Sequence, residues 1–336
     1  MSLTDTESAP APGNHLAGLD ALRLLLCAGV VFYHYIYPRP SSGPLAVIGF
    51  FVLSGYLCAR SLRNNSFDNL RFFRSKARRL LPTLLSSTLF AAAVLAFRTA
   101  TTPDASFSAL WKQWALAHYS LHGFIEIVNI PAWYMQGEIL CLALTPLLWA
   151  AMSRKTSAIC LFLLFFSTAL VRFLQIPWAA PFGEGLYFDP LCRVWQFMAG
   201  MLCARFGCGT FPGLIRAILL ILYAGLYAAS LVLPQDAGLH FINYTLPFDV
   251  CVTILYVLLI PVLAEMHPTR FSSSGRAILA YAASLTYGVY LFHVPVFLLL
   301  RHIHPNGRLI PFESDFLSVA AVIFIAAVNK KWCEKR

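Results

Sequence analysis

Two titratable side chains, Arg23 and His34, stand on one apolar stretch, LAGLDALRLLLCAGVVFYHY, residues 16–35. The stretch is long enough to span a bilayer. An ionisable group inside such a span is costly to keep there and marks a functional candidate. Eleven residues separate the two. At about 100° per residue that is three turns plus ~20°, so both leave one helix face, about 16 Å apart along the axis. A guanidinium low on this stripe and an imidazole high on it suit a long anionic ligand, anchored at one end and reacting at the other. The guanidinium is a permanent cation, and a neutral imidazole accepts a proton near neutral pH. An imidazole near a helix end also snorkels to the interface with no chemistry attached, and for His34 alone the two readings stand side by side.

The composition says what must position such residues. Of 336 residues, 59% are apolar and only 12% charged, and the mean hydropathy is +0.68. A soluble domain carries about twice that charge, so the chain is expected to be an all-α polytopic membrane protein. The first eighteen residues lack a basic stretch leading to a small-residue cleavage site, which argues against a cleaved leader. Nine cysteines without paired spacing fall mostly inside apolar spans. They are expected to fill space rather than form disulfides or a zinc site.

Apolar windows predict about ten transmembrane helices, near 19–37, 44–60, 80–98, 132–152, 157–176, 189–205, 213–233, 246–265, 277–300 and 314–329. Ten spans put both termini on one side. Seventeen of the 25 Lys and Arg then fall on that side, five on the other and three inside spans. The positive-inside rule assigns both termini to the cytoplasm of a multi-pass plasma-membrane protein. The net charge of +10 is thereby read as a topology signal, not as nucleic-acid binding. The expected organisation is a flexible cytoplasmic N-terminus over 1–18, a single membrane domain over 19–330 and a basic cytoplasmic tail over 331–336. No internal repeat is visible, which weighs against an inverted-repeat transporter. Trp111 and Trp114, in a long outer loop, predict a short interfacial helix.

This topology puts His34, Glu138, Arg172, Arg193, Asp249 and His293 in one outer-leaflet layer, and Asp20 and Arg23 near the inner end. Charges that faced lipid there would be expelled, so the layer predicts a cavity. Blander readings exist for several members. Arg172 fits an interfacial anchor, Asp189 a structural partner of Arg193 at a helix start, and Asp249 a cap or pair. The basic run 71–79 fits a topology determinant on anionic lipid. His118 with His122, and His302 with His304, have metal-like spacing but no Cys or carboxylate company, and no metal is expected.

These residues lie in stretches that resemble the acyltransferase 3 family of integral-membrane acyltransferases. GLDALRLLLCAGVVFYH resembles its first-span signature, carrying Arg23 and His34. GFFVLSGYL at 49–57 resembles its second-span motif. FFRSKARRLLP at 72–82 resembles the basic approach to the third span, reading Lys76-Ala-Arg-Arg79 and then Pro82. AWYMQGE resembles the Trp…Glu motif of the fourth span, giving Trp133 and Glu138. RVWQFMAGML at 193–202 resembles a further block, and SLTYGVYLFHVP at 284–295 resembles the late Tyr-Leu-x-His-x-Pro signature. Lys76 in place of Arg keeps the charge but loses a bidentate phosphate grip. Tyr134 stands where the family usually has Ser. The resemblance covers nearly the whole chain in order, and a bare membrane module is expected.

The resemblance implies transfer of an acyl group, commonly acetyl, from cytoplasmic acyl-coenzyme A (acyl-CoA) to a hydroxyl of a cell-surface or exported saccharide, among membrane lipids. On that expectation Arg74, Lys76, Arg78 and Arg79 meet the donor's phosphates, and its pantetheine arm runs past Arg23. His34 acts as general base or as a covalent acyl relay. Glu138 orients His34, as a carboxylate orients the histidine of a hydrolytic triad. Trp133, Arg193 and His293 bind the acceptor or stabilise the tetrahedral oxyanion. Two alternatives compete. One is a transporter or proton-coupled exporter built on the same His/Glu/Arg layer, which has no need of a basic phosphate-binding segment at the third span. The other is an acyltransferase whose acceptor lies in the cytoplasm. A structural scaffold has no need of six ionisable groups in one layer.

Overall fold

The computed structural model describes residues 16–35, 42–62, 68–101, 129, 131–152, 154–175, 190–207, 211–232, 245–266, 272–303 and 311–334. Ten α-helices cover them: α1 (Ala17–Tyr35), α2 (Ser42–Leu62), α3 (Asn69–Thr101), α4 (Ala132–Ala150), α5 (Arg154–Gln175), α6 (Val194–Phe206), α7 (Gly213–Val232), α8 (Leu246–Glu265), α9 (Ser273–Ile303) and α10 (Pro311–Glu334). A short 3-10 turn, Pro190–Arg193, leads into α6. No strand occurs among the described residues. In hydrocarbon the backbone must bond to itself, and a helix does so within one segment. Each of the ten apolar windows falls on one of these helices. Six of them, α1, α2, α3, α7, α8 and α9, are long and apolar enough to cross a membrane. Trp111, Trp114, His118, His122, Asp189 and His304 lie outside the described residues.

α2 forms the centre, buried along most of its length, with α1, α6 and α8 packed around it. Its contact with α6 is a backbone-to-backbone crossing. A Cβ added at Gly55 would stand 1.9 Å from the Phe197 carbonyl oxygen, and one at Gly200 would stand 2.0 Å from that of Val52. Small residues on both helices let the main chains touch, which is how helices associate where lipid removes the hydrophobic drive. α3 and α7 lie outside, with Leu89 72% and Ile221 70% exposed, the apolar faces expected against lipid.

The basic stretch before the third span is helix, not loop. α3 begins at Asn69, behind Asp68, whose carboxylate accepts the Arg71 amide at 3.1 Å. That is an N-terminal cap on otherwise unpaired amides. The cations at 74–79 therefore ride on the first turns of a 33-residue helix, and its pitch decides which of them point inward.

Helices α1 and α2 run antiparallel. The Ser42 hydroxyl donates to the Gly29 carbonyl at 2.7 Å, so α2 starts near the His34 end of α1 and descends toward Arg23. α4 starts at the same end. Pro295 has no N–H and leaves the Leu291 carbonyl, four residues earlier on α9, without its helical partner. Asn129, just before α4, donates its side-chain amide to that carbonyl at 3.2 Å. This bond ties the start of α4 to α9 beside His293.

Candidate functional site

Helices α1, α2, α3, α4 and α9 line a cavity open to the outside, whose roughly 880 Å³ of empty space includes solvent at its mouth. Arg23 of α1 and Lys76 and Arg79 of α3 supply three cations to its wall, and Glu138 of α4 supplies the one carboxylate among its lining residues. The Arg23 guanidinium is paired with Asp20 at 2.8 Å. Lys76 and Arg79 are three residues apart and share one face of α3. Arg74 and Arg78 each stand two residues from Lys76, about 200° round the helix. Both are exposed and neither lines the cavity. Of the four cations expected at the donor's phosphates, the structure brings in two and turns two away.

The Glu138 carboxylate is held from two helices. The Ser54 hydroxyl of α2 donates to its Oε1, and the Tyr134 hydroxyl donates to Oε2 at 3.3 Å. It is not bonded to His34, as the triad-like expectation required. The helical register explains this, because Tyr134 lies one turn nearer the start of α4, at the His34 end, and takes the intervening position. Ser54 was not singled out by its sequence. The signal was available: it is the one serine in the apolar run GFFVLSGYL, and buried hydroxyls need partners.

One turn from Ser54 and Glu138 toward the His34 end stand Phe50 and Tyr134, and Tyr290 of α9 joins them. The three rings touch one another, with centroids 5.8 Å (Phe50–Tyr134), 6.1 Å (Phe50–Tyr290) and 5.4 Å (Tyr134–Tyr290) apart. All three line the cavity. One further turn along α9 is His293, fully buried, with its ring centroid 5.8 Å from that of Tyr290. His34, half-buried on α1, packs on His293 at 5.0 Å. The two imidazoles thus form a pair on the far side of the aromatic rings, and neither lines the cavity. His293 Nδ1 lies 2.6 Å from the Tyr290 carbonyl oxygen. A carbonyl only accepts, so Nδ1 carries the proton. Nε2 of the neutral ring is then an acceptor, buried and without a hydrogen-bond partner among the described residues.

Arg193 and Asp249 are elsewhere. Both are fully buried and form an ion pair at 3.1 Å that joins the turn before α6 to the first turn of α8. Gln196 accepts a second Arg193 bond at 3.3 Å. Trp133 is buried in the apolar core and does not line the cavity. Arg172 lies on α5. The expected single polar layer is therefore divided: the His34–His293 pair, the Arg193–Asp249 pair, and Glu138 with the cations. Among the described residues no three His, Cys, Asp or Glu side chains gather as metal ligands. His302 is bonded to the Thr101 hydroxyl at 2.6 Å.

Comparison with known proteins follows the same residues. The profile of the acyltransferase 3 family, described as an acyltransferase domain, matches residues 16–328. The O-acetyltransferase OatA of Staphylococcus aureus (strain NCTC 8325 / PS 47) is 38% identical over 76 residues, 21% of this chain. The matched part is 13% of the length of OatA. An O-acetyl transferase of Shigella phage Sf6 is 23% identical over 313 residues, covering 90% of this chain and 87% of its own. No solved structure matches. With a family match that begins ahead of α1 and runs well into α10, the chain belongs to the acyltransferase 3 family.

Proposed function

We propose that the protein is an integral-membrane O-acyltransferase that moves an acetyl-sized acyl group from acyl-CoA to a saccharide hydroxyl. The observation that carries this reading is the axial order of the site. Cations stand at one level, a held carboxylate above them, an aromatic layer next and an imidazole pair last. A thioester donor has the same order, with phosphates at one end, an amide-bearing arm between and the reactive carbonyl at the other. Arg23, Lys76 and Arg79 neutralise the phosphates. Glu138 retains lone pairs beyond its two bonds and accepts from a pantetheine amide N–H.

The chemical step is direct transfer. His34 takes the proton of the acceptor hydroxyl as its oxygen attacks the thioester carbonyl. A C–O bond forms and the C–S bond breaks. The departing thiolate takes the proton from the His34 imidazolium and leaves as the free thiol of coenzyme A. His293, with its Nε2 lone pair, accepts from a second acceptor hydroxyl and sets the angle of attack. Arg193 holds α6 to α8 and makes no contact with the reactants. In this reading α4, α5, α6 and α10 cross the membrane with the six long apolar helices. Both termini and the Lys76–Arg79 end then face the cytoplasm, by the excess of Lys and Arg on that side. The acceptor comes to the His34 end from the opposite face. The O-acetyltransferase names of the relatives support an acetyl donor and an oxygen acceptor.

The test is transfer by purified protein in lipid nanodiscs, with acetyl-CoA and envelope saccharide fractions, read by mass spectrometry of the saccharide. Acetyl ester formation with stoichiometric release of coenzyme A is the expected result. Absence of any transfer, together with acetyl-CoA-independent saccharide transport in vesicles, contradicts it.

A further inference from the structure

We infer that the Phe50–Tyr134–Tyr290 layer is the wall that sets the size of the transferred acyl group; this rests on the reading of the cavity as the donor site. The three rings come from α2, α4 and α9, and each touches the other two. They form a closed triangle across the cavity axis, one turn beyond the Ser54–Glu138 level. The cavity includes the rings and stops short of the imidazoles. A donor whose phosphates meet Lys76 and Arg79 therefore brings its acyl end against these rings.

The wall is fixed from behind. Tyr134 is 8% exposed and Tyr290 5%. The Tyr134 hydroxyl is bonded to Glu138, and its ring also packs on Phe51 at 4.7 Å. On the far side Tyr290 meets His293. Neither Tyr134 nor Tyr290 can retreat without displacing packed neighbours, and close-packed interiors resist that. An acetyl methyl group fits against the ring faces. Each further methylene must displace a ring, and one methylene too many in a hydrophobic pocket is discriminated by about tenfold or more. Turning of Phe50, the half-buried ring, joins the thioester to the His34 side. Acyl size and access are thus governed by the same three side chains.

The experiment is a donor series of acetyl-, propionyl- and butyryl-CoA with one saccharide acceptor, run on wild type and on Tyr134→Ala, Phe50→Ala and Tyr134→Phe. Wild type is expected to lose about tenfold or more in kcat/KM with each added methylene. Tyr134→Ala and Phe50→Ala raise the butyryl-to-acetyl ratio by about tenfold. Tyr134→Phe keeps the ring and hence the wild-type ratio. The wild-type series needs no variant, so the wall is tested even where an alanine variant fails to fold. Equal use of acetyl and butyryl donors by wild type overturns the wall, as does an unchanged ratio in an active alanine variant, and both leave the acyltransferase reading standing. No transfer from any thioester by wild type overturns both.

Discussion

Two groups of ionisable residues sit in this helical bundle, one fully buried and one on the wall of an open cavity, and they are built on opposite plans. Arg193 and Asp249 pair with each other at 3.1 Å with no exposure on either side chain, and Gln196 accepts a further bond from the arginine. Arg23, paired with Asp20, and the cations Lys76 and Arg79 face an open cavity in which Glu138 is the one lining carboxylate, and that carboxylate is bonded to hydroxyls, not to a cation. The charges of the first group are paired with each other, while the second group leaves an excess of positive charge turned toward empty space. Intramembrane charge alone therefore does not mark a reactive site. What marks it is charge that the protein leaves for something else to neutralise.

The contrast is broken most severely at the imidazoles. His34→Ala is expected to lower kcat by about 10²- to 10⁴-fold, the usual contribution of a positioned base, while the purified protein keeps its wild-type melting temperature. A His34→Ala protein with wild-type transfer would remove the base from the account. The closed pair comes next. Arg193→Ala leaves Asp249 buried and uncompensated, at a cost of about 3–5 kcal/mol, seen as loss of folded protein in detergent. Replacing both residues, Arg193→Met with Asp249→Leu, restores folding and activity. If the double variant folds but is inactive, Arg193 belongs to the reaction after all.

The open group behaves differently. Lys76→Gln raises KM for acetyl-CoA by about tenfold, the worth of one hydrogen bond to a charged group, with melting unchanged, and added salt weakens the wild-type protein toward the variant. The smallest effect is expected from Arg74→Gln and Arg78→Gln. Both lie on the far face of α3 and act only through the screened long-range field, within about twofold on KM. A larger effect from either would mean that the donor's phosphates spread beyond the cavity mouth.

Much of the site was legible in the chain. Arg23 and His34 share a helix face because eleven residues make nearly three whole turns, and that phase needs no tertiary information. The helical start of α3 was also available, since Asp68 caps a run without Gly or Pro up to Pro82. Helical phase then separates Lys76 and Arg79 from Arg74 and Arg78. The division of the polar layer was not legible. Depth in the membrane follows from position along a helix, but adjacency depends on which helices touch. Here that is decided by contacts such as Gly55 on Phe197 and Gly200 on Val52, with no periodic signal in the sequence. For the same reason Glu138 was expected to serve His34, and Tyr134 was seen as a departure from a pattern rather than as one ring of a wall.

Binding of acetyl-CoA to the folded protein in nanodiscs, measured by calorimetry, tests the open cavity most directly. Wild type binds, and the Lys76→Gln/Arg79→Gln double variant loses about a hundredfold or more in affinity, the sum expected for two charged hydrogen bonds. Equal affinity in the two proteins would contradict the account.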